Sequence, residues 1–189
     1  MKLELPKNYN NNNPNIIKKI EEDMETCADK GFHYLFQGSV GCGKTYLARI
    51  IEYTLVKAEI IESTHYLKSA RKIYSSFLET LSSNYTDKGT VLTNLKRSIS
   101  HSEFLILDDL GDETNTDASH EYFSSALEDR YDYIKKYEYT KSIITTNLKS
   151  KDFINAYGSR LFDRITDVYT IMKFKDHSFR QENKMVISG

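Results

Sequence analysis

The chain has only two cysteines, Cys27 and Cys42, and they read as free thiols in a reducing compartment. It has no apolar run approaching the roughly 18 residues that a membrane helix needs. Its opening, MKLELPKNYNNNNPN, lacks the apolar core of a secretory signal. A soluble cytoplasmic protein with no membrane partner is therefore expected. Charge of one sign is missing too: 26 Lys and Arg stand against 27 Asp and Glu, a formal net charge of −1. No global basic field draws this chain to nucleic acid, so any such contact must come from a local patch. Apolar residues are also few, at 39%. They are nevertheless spread along the whole chain except its extreme start, and 189 residues suffice for one domain with a sizeable core. The asparagine-rich start, with Pro14, favours turns over helix, and residues 1–15 are expected to be a flexible leader.

Periodicity then orders the rest. Ile16, Ile17, Ile20, Met24 and Cys27 recur at helical spacing and predict a helix over 15–29, ended by Gly31. Strands are expected at 32–37 (FHYLFQ), 59–63 (EIIES), 103–109 (EFLILDD), 141–147 (KSIITTN) and 168–174 (VYTIMKF). Between them lie helical patterns: one after residue 45, one carrying Tyr66, Leu67, Ala70, Ile73, Tyr74, Phe77 and Leu81, a short one through Leu92, Leu95 and Ile99, and a long one through Phe123 to Ile134. Two short helices follow, around 151–156 and 158–165. Strands that alternate with helices, several of them continuous apolar runs, predict an α/β fold with a parallel sheet covered on both faces. Ligands of such sheets bind outside the carboxyl ends of the strands. The polar motifs sit there, at 38–45, 108–109 and 147.

The first motif is Gly38-Ser39-Val40-Gly41-Cys42-Gly43-Lys44-Thr45, which fits G-x-x-x-x-G-K-[ST]. Glycines let backbone N–H groups curl around phosphate oxygens without Cβ clashes. The helix that opens here adds unpaired N–H groups and a partial positive charge, Lys44 a full charge near the β and γ phosphates, and Thr45 a hydroxyl for Mg²⁺. The following Tyr46 completes the nucleotide-contacting stretch. A simple glycine turn is the alternative, and the strand before and amphipathic helix after favour the phosphate loop. Cys42, in that loop, reads either as a small residue pointing away or as a thiol of lowered pKa.

Asp108 closes the third strand, where an acid can hold Mg²⁺ through water. Asp109 beside it can polarise an attacking water. Asn147 ends another buried strand, and its amide can both donate to a γ-phosphate and accept from that water. ATP and Mg²⁺ are the expected cofactors.

Taken together, GSVGCGKTYLA, FLILDDLGDE, EDRY before SIITTNL, SRLFDRI and the late HSFR resemble the AAA+ ATPases. More closely they resemble the DnaC-type helicase loaders and the IstB-type transposition ATPases. The motifs occur in the family's order across 16–180, which the resemblance marks as the ATPase core, with 181–189 a short tail. It implies a P-loop NTPase fold with a five-stranded parallel sheet of order 5-1-4-3-2. Only nine residues follow Arg180, so no C-terminal helical lid is expected, and a sensor arginine could only be Arg180 itself. In this group DDLG commonly stands where other AAA+ proteins have Asp-Glu. Asp109 is a methylene shorter than Glu, which points to slow turnover.

The resemblance also gives the arginines a meaning. In SRLFDRI, Arg160 and Arg164 stand at i and i+4, on one side of a helix. By position Arg164 matches the finger that reaches a neighbouring subunit's ATP, and Arg160 its companion. A homo-oligomer sharing ATP between subunits follows. Arg130, in EDRY, supports either a subunit contact or the acid strand. In the similar loaders and initiators the region after the second strand faces single-stranded DNA. Here it carries Lys68, Arg71 and Lys72, with Lys88, Lys96, Arg97, Tyr66 and Tyr74 nearby. Cations track phosphates and tyrosines stack on bases. The same residues fit an amphipathic helix with a basic solvent face and tyrosines in the core.

The expected function is thus an ATPase that self-assembles and acts on single-stranded DNA, like a replication helicase loader, with a replicative helicase or a transposase as partner. The alternatives are an IstB-like transposition ATPase, a small P-loop kinase, or a binding module that switches on ATP without hydrolysing it. Loaders carry a helicase-gripping domain before the core. Only about 15 residues stand there in this sequence, so a partner is expected to meet another surface.

Overall fold

A computed structural model describes residues 1–5, 13–62, 67–83, 87–113 and 116–175. In chain order the elements are α1 (Pro14–Met24), β1 (His33–Gln37), α2 (Lys44–Lys57), β2 (Leu67–Ser69), α3 (Ala70–Ser82), α4 (Lys88–Ser100), β3 (Phe104–Leu110), α5 (Asp117–Lys136), β4 (Lys141–Thr146), α6 (Ser150–Tyr157), α7 (Ser159–Val168) and β5 (Thr170–Lys173). The strands form one sheet of order β2-β3-β4-β1-β5, every pairing parallel. This is the expected order read from the other edge.

Period-two alternation splits the sheet between two cores. Tyr34, Phe36, Ile106 and Ile143 face α1 and α2, joined by Leu47, Ile51 and Leu55. Leu35, Leu105, Leu107 and Ile144 face the other way, onto Ile73 of α3, Phe123 and Leu127 of α5, Phe153 of α6 and Leu161 of α7. Both faces are covered, so the middles of the central strands (Tyr34–Phe36, Phe104–Leu107, Ile143–Ile144) are apolar on both sides, with polar residues at their ends. Among the described residues no helix is long and apolar enough to cross a membrane.

Four expectations are corrected. EIIES does not form the second strand: α2 ends in a Schellman cap, with Glu59 left-handed at φ 57° and Ile60 N–H donating to Leu55 C=O. Ile60 and Ile61 then fold back onto the α1–α2 core. Residue 63 lies outside the described residues. The strand is instead Leu67–Ser69, a short edge that pairs with β3, so Lys68 sits on a strand and the helix after it starts only at Ala70. The first helix stops at Met24 rather than 29, and Cys27 is buried on the turn beyond. Gly31 is there for a close approach: a Cβ would lie 1.8 Å from Thr140 C=O. Finally, the first five residues are not a free leader. Leu3 is buried in the core, and its N–H donates to Glu21 Oε1 at 3.0 Å.

Candidate functional site

β1 delivers the chain into the glycine loop at Gly38, whose N–H donates to Thr146 C=O of β4. A Cβ at Gly38 would stand 2.9 Å from both Cys42 Sγ and Phe174 Cβ. Gly41 (φ 84°) and Gly43 (φ 95°) take the left-handed conformation that L side chains resist, and Gly43 is the N-cap of α2. Ser39 and Val40 face solvent, while Cys42 packs inward in the bland role open to it. Tyr46, by contrast, is exposed on the first turn of α2.

Lys44 is only 4% exposed. Its ammonium donates to Gly38 C=O at 2.8 Å, Ser39 C=O at 2.9 Å and Asn147 Oδ1 at 2.7 Å. Those three oxygens match its three protons, and Cys42 Sγ stands close by at 3.8 Å. The bond to Asn147 joins the glycine loop to the end of β4, because β4 lies beside β1 in the sheet.

Thr45 closes the second half. Its hydroxyl donates to Asp108 Oδ1 at 2.8 Å. The same oxygen accepts from Thr145 Oγ1 at 2.7 Å, and Thr145 Oγ1 in turn accepts the Asp109 N–H at 2.9 Å. Asp108, Thr45 and Thr145 therefore form one knot of hard oxygen atoms on the α2 side of the sheet. Sequence reasoning missed Thr145. The signal was present: on β4 it shares a face with Ile143, and that face looks toward α2.

Asp109 owes its placement to a bulge. Leu107 pairs with Ile144 but Leu110 with Thr146, so β3 carries one residue more than its partner across this stretch. The surplus is absorbed at Asp109, which is left-handed at φ 54°. For a non-glycine residue that conformation is uncommon and costs energy. It is only partly buried, whereas Asp108 is buried. The turn after it is held by Glu113, a second residue unforeseen from the sequence. Glu113 is buried, accepts the Gly111 N–H at 2.7 Å, and is hydrogen-bonded by the Tyr157 hydroxyl.

The arginines of α7 stand apart from this cluster. Arg160 Nε and Arg164 Nη1 each lie 3.4 Å from the Glu128 carboxylate of α5, one on each oxygen, and Arg164 stacks over Tyr131 at 5.3 Å. The shared carboxylate holds the i, i+4 pair on one side, as its spacing requires. Arg130 is not at a subunit contact. Fully buried, it donates to Ser102 C=O, just before β3, and to Lys141 C=O of β4 at 2.9 Å. It ties the acid strand to its neighbour.

Of the basic residues, Lys68 lies on β2, while Arg71 and Lys72 are exposed on the first turn of α3. Arg71 is engaged by Asp112 of the acid turn, through Nε to its C=O at 3.0 Å and Nη2 to its carboxylate at 3.1 Å. Lys96 pairs with Asp129 at 2.8 Å. Tyr74 is no stacking platform for bases: it is buried in the core against Phe77 and Phe123. Tyr66 and Arg180 lie outside the described residues.

The donor set fits a nucleoside triphosphate with its metal. The loop offers backbone N–H groups at a helix N-terminus and an ammonium to phosphates. Thr45 and Asp108 offer hard oxygens to Mg²⁺. Among the described residues no group of three or more His, Cys, Asp and Glu could hold a metal by itself. An ion here would therefore share its coordination with phosphate oxygens and water.

Comparison with known proteins agrees with this arrangement. The family model for IstB-like ATP binding proteins matches residues 15–186. The curated proteins compared contain no match. Among solved structures, the DnaC helicase loader is similar over 89% of this chain and 95% of its own, at 21% identity and a TM-score of 0.67. DnaI is similar over 91% and 95%, at 18% identity and a TM-score of 0.63. A replication initiator DnaA bound to AMPPCP and single-stranded DNA matches over 88% of this chain but only 46% of its own, at 17% identity and a TM-score of 0.61. At these identities the structures speak for the fold.

Proposed function

Because the chain belongs to the family of IstB-like ATP binding proteins, we propose that it hydrolyses ATP, slowly, in an assembly of identical subunits on single-stranded DNA. One observation carries the reading. Residues from two strands, one helix and the position just after β4 converge at the carboxyl end of the sheet, through the Lys44–Asn147 bond and the Thr45–Asp108–Thr145–Asp109 chain.

In this reading Lys44 neutralises charge on the β and γ phosphates, and Thr45 and Asp108 hold Mg²⁺. When bound, the ion supplies electrostatic stabilisation of the transferring phosphoryl group. Asp109, lifted out of the ladder by its bulge, accepts a hydrogen bond from the attacking water and takes its proton. Asn147 orients that water and the γ-phosphate. Arg164, with Arg160 beside it, projects toward the neighbouring subunit's nucleotide, and an arginine supplied this way raises phosphoryl-transfer rates by about 10³–10⁵ in other enzymes. Lys68, Arg71 and Lys72 contact DNA phosphates. DnaA bound to single-stranded DNA, a structure of the same fold, supports the DNA assignment. A replicative helicase or a transposase is the partner, and the setting is cytoplasmic.

The test is ATP hydrolysis across protein concentration, with and without single-stranded DNA, for the wild type and Arg164→Ala. A steep concentration dependence that DNA enhances and the variant loses is expected. A flat profile in both proteins would remove the arginine assignment, and no effect of DNA would remove the DNA assignment.

A further inference from the structure

Glu113 and Tyr157 form a buried pair beneath the acid turn, 4% and 6% exposed. The two Glu113 oxygens serve donors from two places. Oε2 accepts the N–H of Gly111, two residues after Asp109, and Oε1 accepts the hydroxyl of Tyr157, the last residue of α6. Burial and the Glu113 charge both push the Tyr157 hydroxyl pKa up, so it remains a donor. Its ring packs on Phe153 and His120, and Ser124 of α5 donates to its C=O at 3.3 Å.

The turn between has little freedom. Asp109 C=O accepts the Asp112 N–H at 3.0 Å. Gly111 sits at φ 101°, where a Cβ would meet Leu148 at 2.7 Å. On the far side of Tyr157 stands Gly158 at φ 88°, with open space around it. Immediately beyond, α7 begins, bearing Arg160 and Arg164. An apolar pair could hold α6 against this loop without burying a carboxylate. It could not accept the Gly111 N–H that fixes the turn.

We propose that Glu113 and Tyr157 are positioning residues that hold Asp109 in its left-handed conformation and tie the acid turn to the α6–α7 corner. The placement of Asp109 in one subunit's site and of Arg160 and Arg164 toward the next are thereby set together. This rests on the roles given above to Asp109 and Arg164.

Tyr157→Phe keeps the ring and removes one hydroxyl. Glu113→Leu keeps much of the bulk and removes both acceptors, leaving the Gly111 N–H and the Tyr157 hydroxyl unanswered. Each is assayed for ATP turnover at saturating protein and ATP, for nucleotide affinity with a fluorescent ATP analogue, and for melting temperature. Turnover should fall about tenfold or more, because small misplacements of catalytic groups are costly, while nucleotide affinity stays within about threefold. Doping wild type with Asp109→Asn/Tyr157→Phe subunits should slow the remaining sites more than doping with Asp109→Asn alone. Turnover within about twofold of wild type in both folded single variants would overturn the proposal. Equal effects of the two dopants would overturn the link to the arginines. Arg164→Ala run alongside separates the causes. If it turns over like wild type, the finger assignment fails and the link falls with it, while the Tyr157→Phe rate still reads the hold on Asp109.

Discussion

The two ends of the parallel sheet both bury polar side chains, but they bury them differently. At the carboxyl ends, Lys44, Thr45, Asp108 and Thr145 bring an ammonium, hydroxyls and a carboxylate together beneath a loop whose Val40 is 59% exposed. At the amino ends, Arg130, Lys141, Ser142 and Tyr169 are buried and His33 is half-buried. Arg130 is answered by two backbone carbonyls and sits over the Tyr133 ring, with its Nε unpartnered among the described residues. Lys141 donates to Tyr139 C=O. Burial pushes both cations' pKa values down. His33 Nδ1 lies 2.6 Å from Ser142 Oγ, and Ser142 donates to the Tyr169 hydroxyl at 3.0 Å. Buried polar chemistry alone therefore does not mark a site. What distinguishes the carboxyl end is mixed charge beside a solvent-facing loop, where a ligand can replace protein–protein hydrogen bonds.

The largest test of that contrast is Asp109→Asn. The amide keeps the size but cannot take a proton, so turnover should fall by about 10²–10⁴, the usual worth of a positioned base. ATP binding and melting temperature should hold. Near-normal turnover would remove Asp109 from the chemistry and leave the carboxyl end with binding residues alone.

Arg130→Met makes the opposite prediction. It strands the Ser102 and Lys141 carbonyls, each costing about 1–3 kcal/mol, and relieves part of that by removing a buried charge. A net loss near 2 kcal/mol is expected by denaturant titration, with turnover per folded molecule unchanged. A folded variant that is slow would mean that the amino end reaches the site through β3, and the division between the two ends would fail.

How much of this was legible follows from what each residue answers to. The phosphate loop was readable because it depends on local pattern: Gly38, Gly41 and Gly43 are there for backbone reasons, and the strand ends carried the polar residues. The strand order is a long-range property and came only from the resemblance to the AAA+ ATPases. β2 was misplaced because Ile60 and Ile61 are as apolar as a strand but belong to the cap of α2. Tyr74 lay on the apolar face of α3 with Ile73, and its burial follows from helical spacing rather than from any base. Glu113 and Tyr157 could not be paired from sequence, because only the packing of α6 against the acid turn brings residues 44 positions apart together. Arg130 remained open between two roles, since EDRY says nothing of which way its arginine points.

The smallest effect concerns His33, and it separates the two ends by pH. Burial, then the charges of Arg130 and Lys141, hold its pKa down at about 3 against an ordinary 6.5. The unfolded chain thus binds a proton that the folded chain refuses. The stability contributed by neutral His33 is complete above pH 6.5 and declines as pH falls toward 3, at a slope of up to about 1.4 kcal/mol per pH unit. Between pH 7 and 5.5 the loss from this group should be about 1 kcal/mol. His33→Gln keeps a polar side chain beside Ser142 and has no proton to gain. Its denaturation midpoint should change less over that range than the wild type's, with ATP affinity at pH 7 unaltered. Parallel pH profiles for the two proteins would mean that the ring stays hydrated or charge-paired in the folded protein. The contrast with the open carboxyl end would then be one of degree.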